Sequence, residues 1–424
     1  MEKQIIKQIL LEQKEETKKI FTEKIIKREI ERRARQSLKD NLIKVIIGVR
    51  RCGKSVLAHQ ILKDKNYGYV NFDDERLIGT KTEDLNDFLE VLKEINSDFN
   101  YLLLDEIQNV QGWELFTSRL KRTGYNLIIT GSNSKLLSKE LSTYLTGRHF
   151  TIELYPFSFQ EFLEYKSFIY NENDFYLTEK RAQIKKLFNE YLLFGGFPEL
   201  FKIEIKEQYL RDLYDKILTR DIVYRYRIKY FKVLKEMSLY LMSHFGSKIT
   251  YHKLKNIFEI NSIHTIKNYI GYLEEAYLIY QLYPFSFKLK DQLRGAKKIY
   301  SIDHGLIKSI SFQFSSNLGR IMENIVFIHL KRKNKEVYFY TDPSGNDVDF
   351  IVREGLKISE LIQVCFNLDD IETKERELKS LIKGSKQLEC NNLTIITFDK
   401  EKEEKIREKN IKFIPLWKWL LSPG

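Results

Sequence analysis

The sequence predicts an α/β protein whose first large domain is a parallel sheet with helices on both faces. Between residues 43 and 155, short apolar runs alternate with helical segments. The runs are continuously apolar, which is typical of parallel strands buried on both faces. The strands are predicted at 44–49, 67–72, 101–106, 126–132 and 149–154.

Chain length and composition indicate the number of domains and the charge of the expected partner. The chain has 424 residues, of which 43% are hydrophobic, so two to four domains with packed cores are expected. Its formal net charge of +12 favours an anionic partner such as nucleic acid. A coding bias that enriches Lys, Ile, Asn, Tyr and Phe together explains the charge equally well, because the basic residues are scattered.

Cysteine usage and hydropathy predict a cytoplasmic protein without a membrane partner. The cysteines Cys52, Cys365 and Cys390 are far apart and form no C-x-x-C pair. A disulfide framework or a structural zinc site is therefore not expected. No run approaches the ~18 apolar residues of a membrane span. The N-terminus lacks the apolar core of a signal peptide.

Residues 48–55, GVRRCGKS, have the spacing of a phosphate-binding loop between a predicted strand and a predicted helix. Glycines let backbone N–H groups approach phosphates, and the helix N-terminus favours their negative charge. Lys54 is expected to reach the β- and γ-phosphates of ATP, and Ser55 to hold Mg²⁺. The predicted nucleotide contacts are Gly48, Arg50, Arg51, Cys52, Gly53, Lys54, Ser55 and Val56.

Two adjacent acids, Asp105 and Glu106, end the apolar run YLLLDE. Asp105 is expected to orient the Mg²⁺ shell, and Glu106 to polarise the attacking water as the catalytic base. Solvated acids at an ordinary strand end are the alternative. A phosphate-binding loop about 50 residues upstream favours the catalytic interpretation.

Polar residues after the fourth predicted strand complete the expected ATP site. That strand is expected to lie between the loop strand and the acidic strand. Asn133, or Ser132 as the alternative, would then contact the γ-phosphate or the water. Either residue could instead cap the next helix, since Ser and Asn are both good N-caps.

Arg148 is the first candidate for an arginine that reads the γ-phosphate, within one chain or across the interface of an oligomer. Arg50 and Arg51 inside the loop are its rivals. A salt bridge at the start of a strand accounts for Arg148 equally well.

Nine segments resemble, in order, those of one known family. They are GVRRCGKS, VNFDDERL (70–77), LLLDEIQNV (102–110), ITGSNSKLLS (129–138), LTGR (145–148), PFSFQEFL (156–163), GGFPE (195–199), ILTRDI (217–222) and YLEEAYLI (272–279). Over nearly its whole length the chain resembles the prokaryotic AAA-type ATP-binding proteins with a C-terminal domain of unknown function. The resemblance implies an ATPase core, a helical and winged-helix middle, and a C-terminal domain similar to restriction-endonuclease folds. It implies no settled biological role.

The resemblance and the patterns in the chain together predict five parts. They are a helical arm at 1–40, a P-loop AAA-type ATPase core at 41–165, a helical lid at 166–227, a winged helix-turn-helix domain at 228–295, and a restriction-endonuclease-like α/β domain at 296–424. The arm is expected to cover the next domain, with DNA binding as its alternative.

Residues 261–282 resemble a recognition helix followed by a wing. Ser262 is expected to cap this helix. Its apolar face would consist of Ile266, Ile270, Leu273 and Ala276. His264, Lys267 and Asn268 would face a DNA groove, and protein docking is the alternative.

The C-terminal region carries part of the residue set of a Mg²⁺-dependent nuclease. That fold needs an acid on the first helix, an Asp on a strand, and an acid-x-Lys pair on the next strand. Glu323 and Asp349 match the first two positions, and Gln363 supplies an oxygen ligand, which makes a vestigial Mg²⁺ site. Cys365 stands where the lysine should be, with Lys357 as a distant substitute. We therefore expect a domain that has lost cleavage and binds DNA or a protein partner.

Three functions follow from these observations. The first is an ATP-driven switch or motor that acts on DNA and uses ATP and Mg²⁺. The second is an ATP-gated switch for a protein partner, without DNA. The third is an ATP-gated nuclease, which the missing lysine disfavours.

Overall fold

The chain divides into two compact units, Met1–Pro156 and Phe157–Gly424. The computed structural model describes residues 1–22, 24–133, 147–311 and 318–422. The helices of the first unit are α1 (Lys3–Ile20), α2 (Glu31–Ser37), α3 (Lys54–Ile61), α4 (Leu85–Ile95) and α5 (Trp113–Arg122). Its strands are β1 (Ile43–Ile47), β2 (Tyr67–Asn71), β3 (Tyr101–Asp105), β4 (Asn126–Gly131) and β5 (His149–Glu153).

The first unit is built on a parallel sheet with the strand order β2-β3-β4-β1-β5. This confirms the predicted parallel sheet and the position of β4 between β1 and β3. All five residues of β1 are buried, because helices cover both faces of a sheet of this kind. The helix expected near 134–145 lies outside the described residues.

Helix α1 covers the free edge of β2. The Gln13 side chain donates to the carbonyl of Asn71 at 3.0 Å and accepts from its amide at 2.9 Å. An edge strand exposes unpaired backbone groups, and this side-chain amide pairs two of them. The N-terminal helix is thus packed against the sheet rather than projecting from it.

The second unit begins with helices. They are α6 (Phe159–Tyr165), α7 (Thr178–Phe194), α8 (Lys206–Lys216), a π-helix (Ile217–Tyr224), α9 (Phe231–Ser243), α10 (Tyr251–Ile257) and α11 (Ile263–Glu275). A three-stranded sheet in the order β6-β8-β7 follows, with β6 (Lys248–Ile249), β7 (Ile279–Leu282), α12 (Leu289–Arg294) and β8 (Lys297–Ser301). Strand β8 lies beyond residue 295, where the winged-helix domain is predicted to end.

Helix α11 has the predicted apolar face. Ile266, Ile270, Leu273 and Ala276 are all buried. Ser262 occupies the predicted N-cap position, but its side chain makes no capping hydrogen bond to the helix.

A six-stranded mixed sheet forms the C-terminal part, in the order β13-β14-β12-β11-β10-β9. Its elements are α13 (His304–Ile310), α14 (Leu318–Arg332), β9 (Glu336–Thr341), β10 (Asp347–Glu354), β11 (Lys357–Cys365), α15 (Ile371–Gln387), β12 (Leu393–Thr397), β13 (Lys402–Ile406), β14 (Lys409–Pro415) and α16 (Leu416–Leu421). None of the helices in the described ranges has the length and apolar character needed to cross a bilayer.

The sequence predicts one strand after the helix α15, and the structure has three, β12, β13 and β14. The turn between β13 and β14 places Arg407 and Glu408 at φ 47° and 66°. Two residues with positive φ make a hairpin turn that usually carries Asn or Gly. The turn and the charged strand KEEKI gave no strand or hairpin signal in the sequence.

Candidate active site at the phosphate-binding loop

Two glycines shape the loop between β1 and α3. A Cβ on Gly48 would lie 2.1 Å from the Leu154 carbonyl oxygen, so no side chain fits there. Gly53 has φ 97° and precedes the first residue of α3, in a region that favours glycine. The loop thus makes a tight connection between β1 and the N-terminus of α3. A glycine-rich loop that ends at a helix N-terminus is the geometry that binds phosphate.

Lys54, Asp105 and Glu106 meet at the carboxyl edge of the sheet. The Lys54 Nζ lies 3.3 Å from the Glu106 Oε1 and 3.4 Å from the Val49 carbonyl oxygen. Lys54 and Asp105 are 5% and 3% exposed. The Ser55 hydroxyl is hydrogen-bonded to the Asp105 carboxylate. A hydroxyl and a carboxylate are hard oxygen donors of the kind that Mg²⁺ prefers, so this pair fits the ion.

Thr130 at the end of β4 holds both acids. Its hydroxyl donates to the Asp105 carboxylate and accepts from the Glu106 amide, the latter at 3.0 Å. The Glu106 Oε2 accepts from the Ser132 amide at 3.2 Å and from the Gln108 side chain. Neither Thr130 nor Gln108 is predicted from the sequence, although Thr130 stands at the end of a predicted strand.

Glu106 has an unusual backbone conformation, with φ 51°. A left-handed conformation costs a residue with a side chain roughly 1–2 kcal/mol. Conformations of this kind persist where surrounding contacts impose them, and they cluster at functional sites. The strain therefore supports a chemical role for Glu106.

Burial and neighbouring charges act together on the pKa values of the site. Burial opposes the charge of Lys54, but the nearby Glu106 carboxylate raises the pKa of the lysine. Burial also opposes the charge of Glu106, yet Lys54 lowers the pKa of this carboxyl. Burial raises the pKa of Asp105, and the charge of Glu106 adds to that shift. Lys54 and Glu106 therefore form a charged pair at neutral pH.

The other loop residues have structural partners. The Arg50 Nη2 lies 2.9 Å from the Asp73 Oδ2, which commits one of the rival arginines to an ion pair within the same unit. Arg51 has φ 67°. Cys52 is fully buried, and burial raises the pKa of its thiol, so it supplies no thiolate. Val56 is half-buried in the first turn of α3.

Arg28 fastens the loop from outside the predicted ATPase core. Its Nη1 donates to the Cys52 carbonyl at 2.9 Å, and its Nη2 donates to the Tyr155 carbonyl at 2.5 Å. Arg28 is 4% exposed. The sequence does not predict this role, because an arginine that binds carbonyl oxygens leaves no spacing pattern.

Asn133 and Arg148 lie on either side of residues that the structure does not describe. Asn133 is 1% exposed and follows β4 directly, as Ser132 does. Arg148 is exposed, and its carbonyl accepts from the Ile43 amide at 2.9 Å. Its side chain forms no ion pair within the described ranges. The roles of both residues remain predictions.

The predicted C-terminal Mg²⁺ residues surround a lysine. The Lys298 Nζ lies 2.8 Å from the Glu323 Oε1 and 2.9 Å from the Asp349 Oδ1. Lys298 is on β8, and all three side chains are nearly buried. The lysine ammonium compensates both carboxylates, as a metal ion would in an active nuclease.

The remaining predicted ligand also has other partners. The Gln363 oxygen accepts from the Asp349 amide at 3.2 Å, and its nitrogen donates to Glu377. Burial raises the pKa of the Cys365 thiol to about 11, so it supplies no charge. In the described part of the chain, no three His, Cys, Asp or Glu side chains are placed to hold a metal ion. Lys298 already gives Glu323 and Asp349 a cationic partner, and the vestigial Mg²⁺ site at Glu323, Asp349 and Gln363 stays a prediction.

Replacing Lys298 by Met is expected to lower the free energy of unfolding by about 3–5 kcal/mol, because two buried carboxylates lose their counter-charge. Burial raises the pKa of Glu323 from 4.5 to about 7, Lys298 opposes this shift and Asp349 adds to it. The folded chain thus keeps a proton that the unfolded chain releases, and Glu323 reduces stability as the pH rises through this window. The decrease in the free energy of unfolding of Lys298→Met should therefore be larger at pH ~8 than at pH ~5.

Urea denaturation at both pH values measures this effect, with Lys248→Met as the matched control. The Lys248 Nζ lies 2.6 Å from the Asp347 Oδ1 in a pair that is about one-third exposed. Loss of this ion pair should lower the free energy of unfolding by under ~1 kcal/mol. Equal effects of the two substitutions would contradict the buried-pair interpretation of Lys298.

Three parts of the chain match known domain families. Residues 40–163 match an AAA domain. Residues 185–317 and 318–419 each match a domain of unknown function, DUF8612 and DUF4143. The first match supports ATP binding and hydrolysis by the unit that holds Lys54 and Glu106. The C-terminal match leaves the restriction-endonuclease-like fold a prediction.

The uncharacterized protein MJ1544 of Methanocaldococcus jannaschii is 40% identical to this chain over 438 residues, which cover 99% of this chain and 95% of the relative. The chain belongs to the family of MJ1544. Another uncharacterized protein, from Haemophilus influenzae, is 32% identical over 385 residues, which cover 84% of this chain and 93% of that one. The MJ1544 family thus includes relatives similar to this chain along most of their length.

Among solved structures, the Walker-type ATPase of Pyrococcus abyssi aligns with a TM-score of 0.41 and 14% identity, over 68% of this chain and 96% of its own. A likeness at that level carries no argument about this member of the MJ1544 family. The assignment of an AAA-type P-loop domain rests on the domain match and on the geometry of the site.

Proposed function

We propose that the first unit binds ATP with Mg²⁺ and hydrolyses it, and that hydrolysis drives a switch or motor that acts on DNA. The observation that carries the ATPase part is the meeting of Lys54, Asp105 and Glu106 beside the loop at 48–55. Lys54 comes from the N-terminus of α3, and the two acids come from the end of β3, which β4 separates from the loop strand β1. Their arrangement provides a positive charge, a metal-binding carboxylate and a base at one place.

Each side chain has a definite task in this proposal. The loop amides and Lys54 bind the β- and γ-phosphates of ATP. Ser55 and Asp105 hold Mg²⁺, which neutralises charge on the phosphates when it is bound. Glu106 accepts the proton of the attacking water. Asn133 and Arg148 are proposed to contact the γ-phosphate.

The ion pair between Lys54 and Glu106 gives the site a resting state. With a distance of 3.3 Å between them, the lysine partly neutralises the base. When Lys54 turns to the phosphates, Glu106 loses this partner and becomes free to accept a proton. Nucleotide binding thus prepares the base, which limits proton chemistry to the loaded site.

The DNA part of the proposal rests on the second unit and on charge. We propose that α10 and α11 with the β6-β8-β7 sheet form a winged helix, within the limits 228–295 extended to β8. His264 and Lys267 are exposed on α11, and Asn268 is half-buried. The net charge of +12 favours a polyanionic partner. The lid at 166–227 and the restriction-endonuclease-like domain at 296–424 are proposed with it.

Nuclease activity is not part of the proposal. Lys298 compensates the two carboxylates that a nuclease would use to hold a metal ion. We therefore propose that the C-terminal domain contacts DNA or a partner without cleaving it.

Steady-state ATP hydrolysis tests the proposal directly. We expect turnover that needs Mg²⁺, stops with EDTA and rises when duplex DNA is added. Glu106→Gln is the control for contaminating ATPases. Hydrolysis that is indifferent to DNA would refute the DNA part and favour a switch for a protein partner, whereas absent hydrolysis would refute the ATPase part.

A further inference from the structure

We propose that the turn between the π-helix and α9 binds single-stranded nucleic acid. We name the segment 224–230, YRYRIKY, the tyrosine turn; it includes the end of the helix and the turn that follows. Tyr224 and Tyr230 would stack on bases, while Arg227 and Lys229 would contact phosphates. The inference rests on the proposed function and names the class of nucleic acid that the second unit holds.

The two tyrosines are unusually exposed. Tyr224 is 81% exposed and Tyr230 is 71% exposed. Side chains of this size normally bury most of their surface. Because Tyr224 and Tyr230 do not, they contribute little to folding. Exposed aromatic rings that flank basic residues are the platforms on which proteins stack unpaired bases.

The tyrosine turn is held in place by its own backbone and by α11. Arg227 has φ 50°, and the Ile228 amide donates to the Val223 carbonyl at 3.1 Å, which closes the turn. The ring of Tyr226 stacks on Tyr272 of α11, with 3.9 Å between centroids and 14° between planes. The exposed rings are thus carried on a fixed backbone, which lowers the entropy lost on binding.

Positive charge accompanies the exposed rings. Arg227 and Lys229 are exposed and form no ion pair with any residue that the structure describes. Two lysines farther along the chain already have acids, since the Lys235 Nζ lies 2.7 Å from the Asp215 Oδ1 and the Lys232 Nζ lies 3.9 Å from the Glu236 Oε1. Arg227 and Lys229 are therefore available for an anionic backbone between the two stacking rings.

This combination favours single strands over duplexes. In a duplex the base faces are stacked on each other, and an exposed ring can reach only edges and backbone. An unpaired strand offers its base faces to Tyr224 and Tyr230 and its phosphates to the charges between them. The exposed Lys267 lies on α11, the same helix that fastens the turn.

Fluorescence anisotropy with a labelled oligo(dT) strand and with a duplex of equal length tests the inference on the full chain. Changing Tyr224 and Tyr230 to Ala together should weaken oligo(dT) binding by at least about 10-fold, and Phe at both positions should restore it, because stacking needs only the ring. Arg227→Gln with Lys229→Gln should lower the slope of log K against log salt by about 1.4.

Tyr176→Ala is the matched control, since Tyr176 is 73% exposed in the same unit and outside the tyrosine turn. It should leave oligo(dT) binding unchanged. Thermal unfolding of each variant shows whether the fold is kept. Unchanged oligo(dT) binding in the double Ala variant, or an equal loss in Tyr176→Ala, would overturn the inference.

The outcome is separable from that of the proposed function. If duplex DNA stimulates ATP hydrolysis but the tyrosines do not matter for oligo(dT) binding, the inference fails and the proposed function stands. If the unmodified protein hydrolyses ATP but binds neither DNA form, the DNA part and the inference fail together. If the tyrosine turn captures only a protein, the double Ala variant will bind oligo(dT) normally.

Discussion

Replacing Lys54 by Ala is expected to reduce the affinity for ATP by at least ~30-fold, which corresponds to the 2 kcal/mol or more typical of a truncated buried charge pair. Two effects act in the same direction. The substitution removes the positive side chain that lies 3.3 Å from Glu106 at the end of the loop. It also leaves the buried Glu106 carboxylate without this partner, where its charge repels the incoming phosphates.

Titration with a fluorescent ATP analogue measures this affinity. Lys63→Ala serves as the control, because Lys63 is exposed just beyond α3 and has no place in the site. Circular dichroism of both variants checks that the sheet is intact. Full affinity for nucleotide in the Lys54 variant would show that the loop at 48–55 is not the ATP site.

Glu106→Gln is expected to lower turnover by about 10²–10⁴-fold while ATP still binds. The amide keeps the shape of the side chain and an oxygen for the Ser132 amide, but it cannot accept the proton of the water. Affinity for ATP should stay equal or rise, because Lys54 no longer has a carboxylate that competes with the phosphates. Single-turnover hydrolysis and nucleotide titration separate these two effects.

The pH dependence provides a second check on the base. Lys54 lowers the pKa of Glu106 below its usual value despite burial, so the base is ionised at neutral pH. This holds before ATP binds. In the loaded site Lys54 has turned to the phosphates and no longer opposes the effect of burial on Glu106, so turnover should fall as the pH is lowered and Glu106 takes up a proton. Glu75→Gln, an exposed acid in the same unit, is the matched control. A Glu106 variant with undiminished turnover would mean that another group is the base.

The sheet and the core of the ATP site could be predicted because their signals are local. Continuous apolar runs show strands buried on both faces, and GVRRCGKS and YLLLDE place charged residues directly at strand ends. The strand order then brings Lys54, Asp105 and Glu106 together without further information. Thr130 was missed because a buried threonine in an apolar run looks like an ordinary strand residue.

The cluster of Lys298, Glu323 and Asp349 could not be predicted from residue spacing. The nuclease pattern places its lysine at the position of Cys365, on β11. The structure places Lys298 beside Glu323 and Asp349 from a different sheet, 25 and 51 positions away along the chain. A contact between sheets depends on packing and leaves no periodicity. The π-helix at Ile217–Tyr224 was missed for a similar reason, since its apolar pattern resembles that of an α-helix.

Arg28 determines how the chain can be divided. It donates to one carbonyl in the phosphate-binding loop and to another just after β5, yet it lies outside the matched AAA domain at 40–163. A fragment cut at residue 40 would remove this donor from both carbonyls and leave the loop less firmly held. The smallest fragment able to bind nucleotide normally should thus begin before residue 28. In this chain the AAA domain recognised by sequence is shorter than the segment needed to hold the phosphate-binding loop in place.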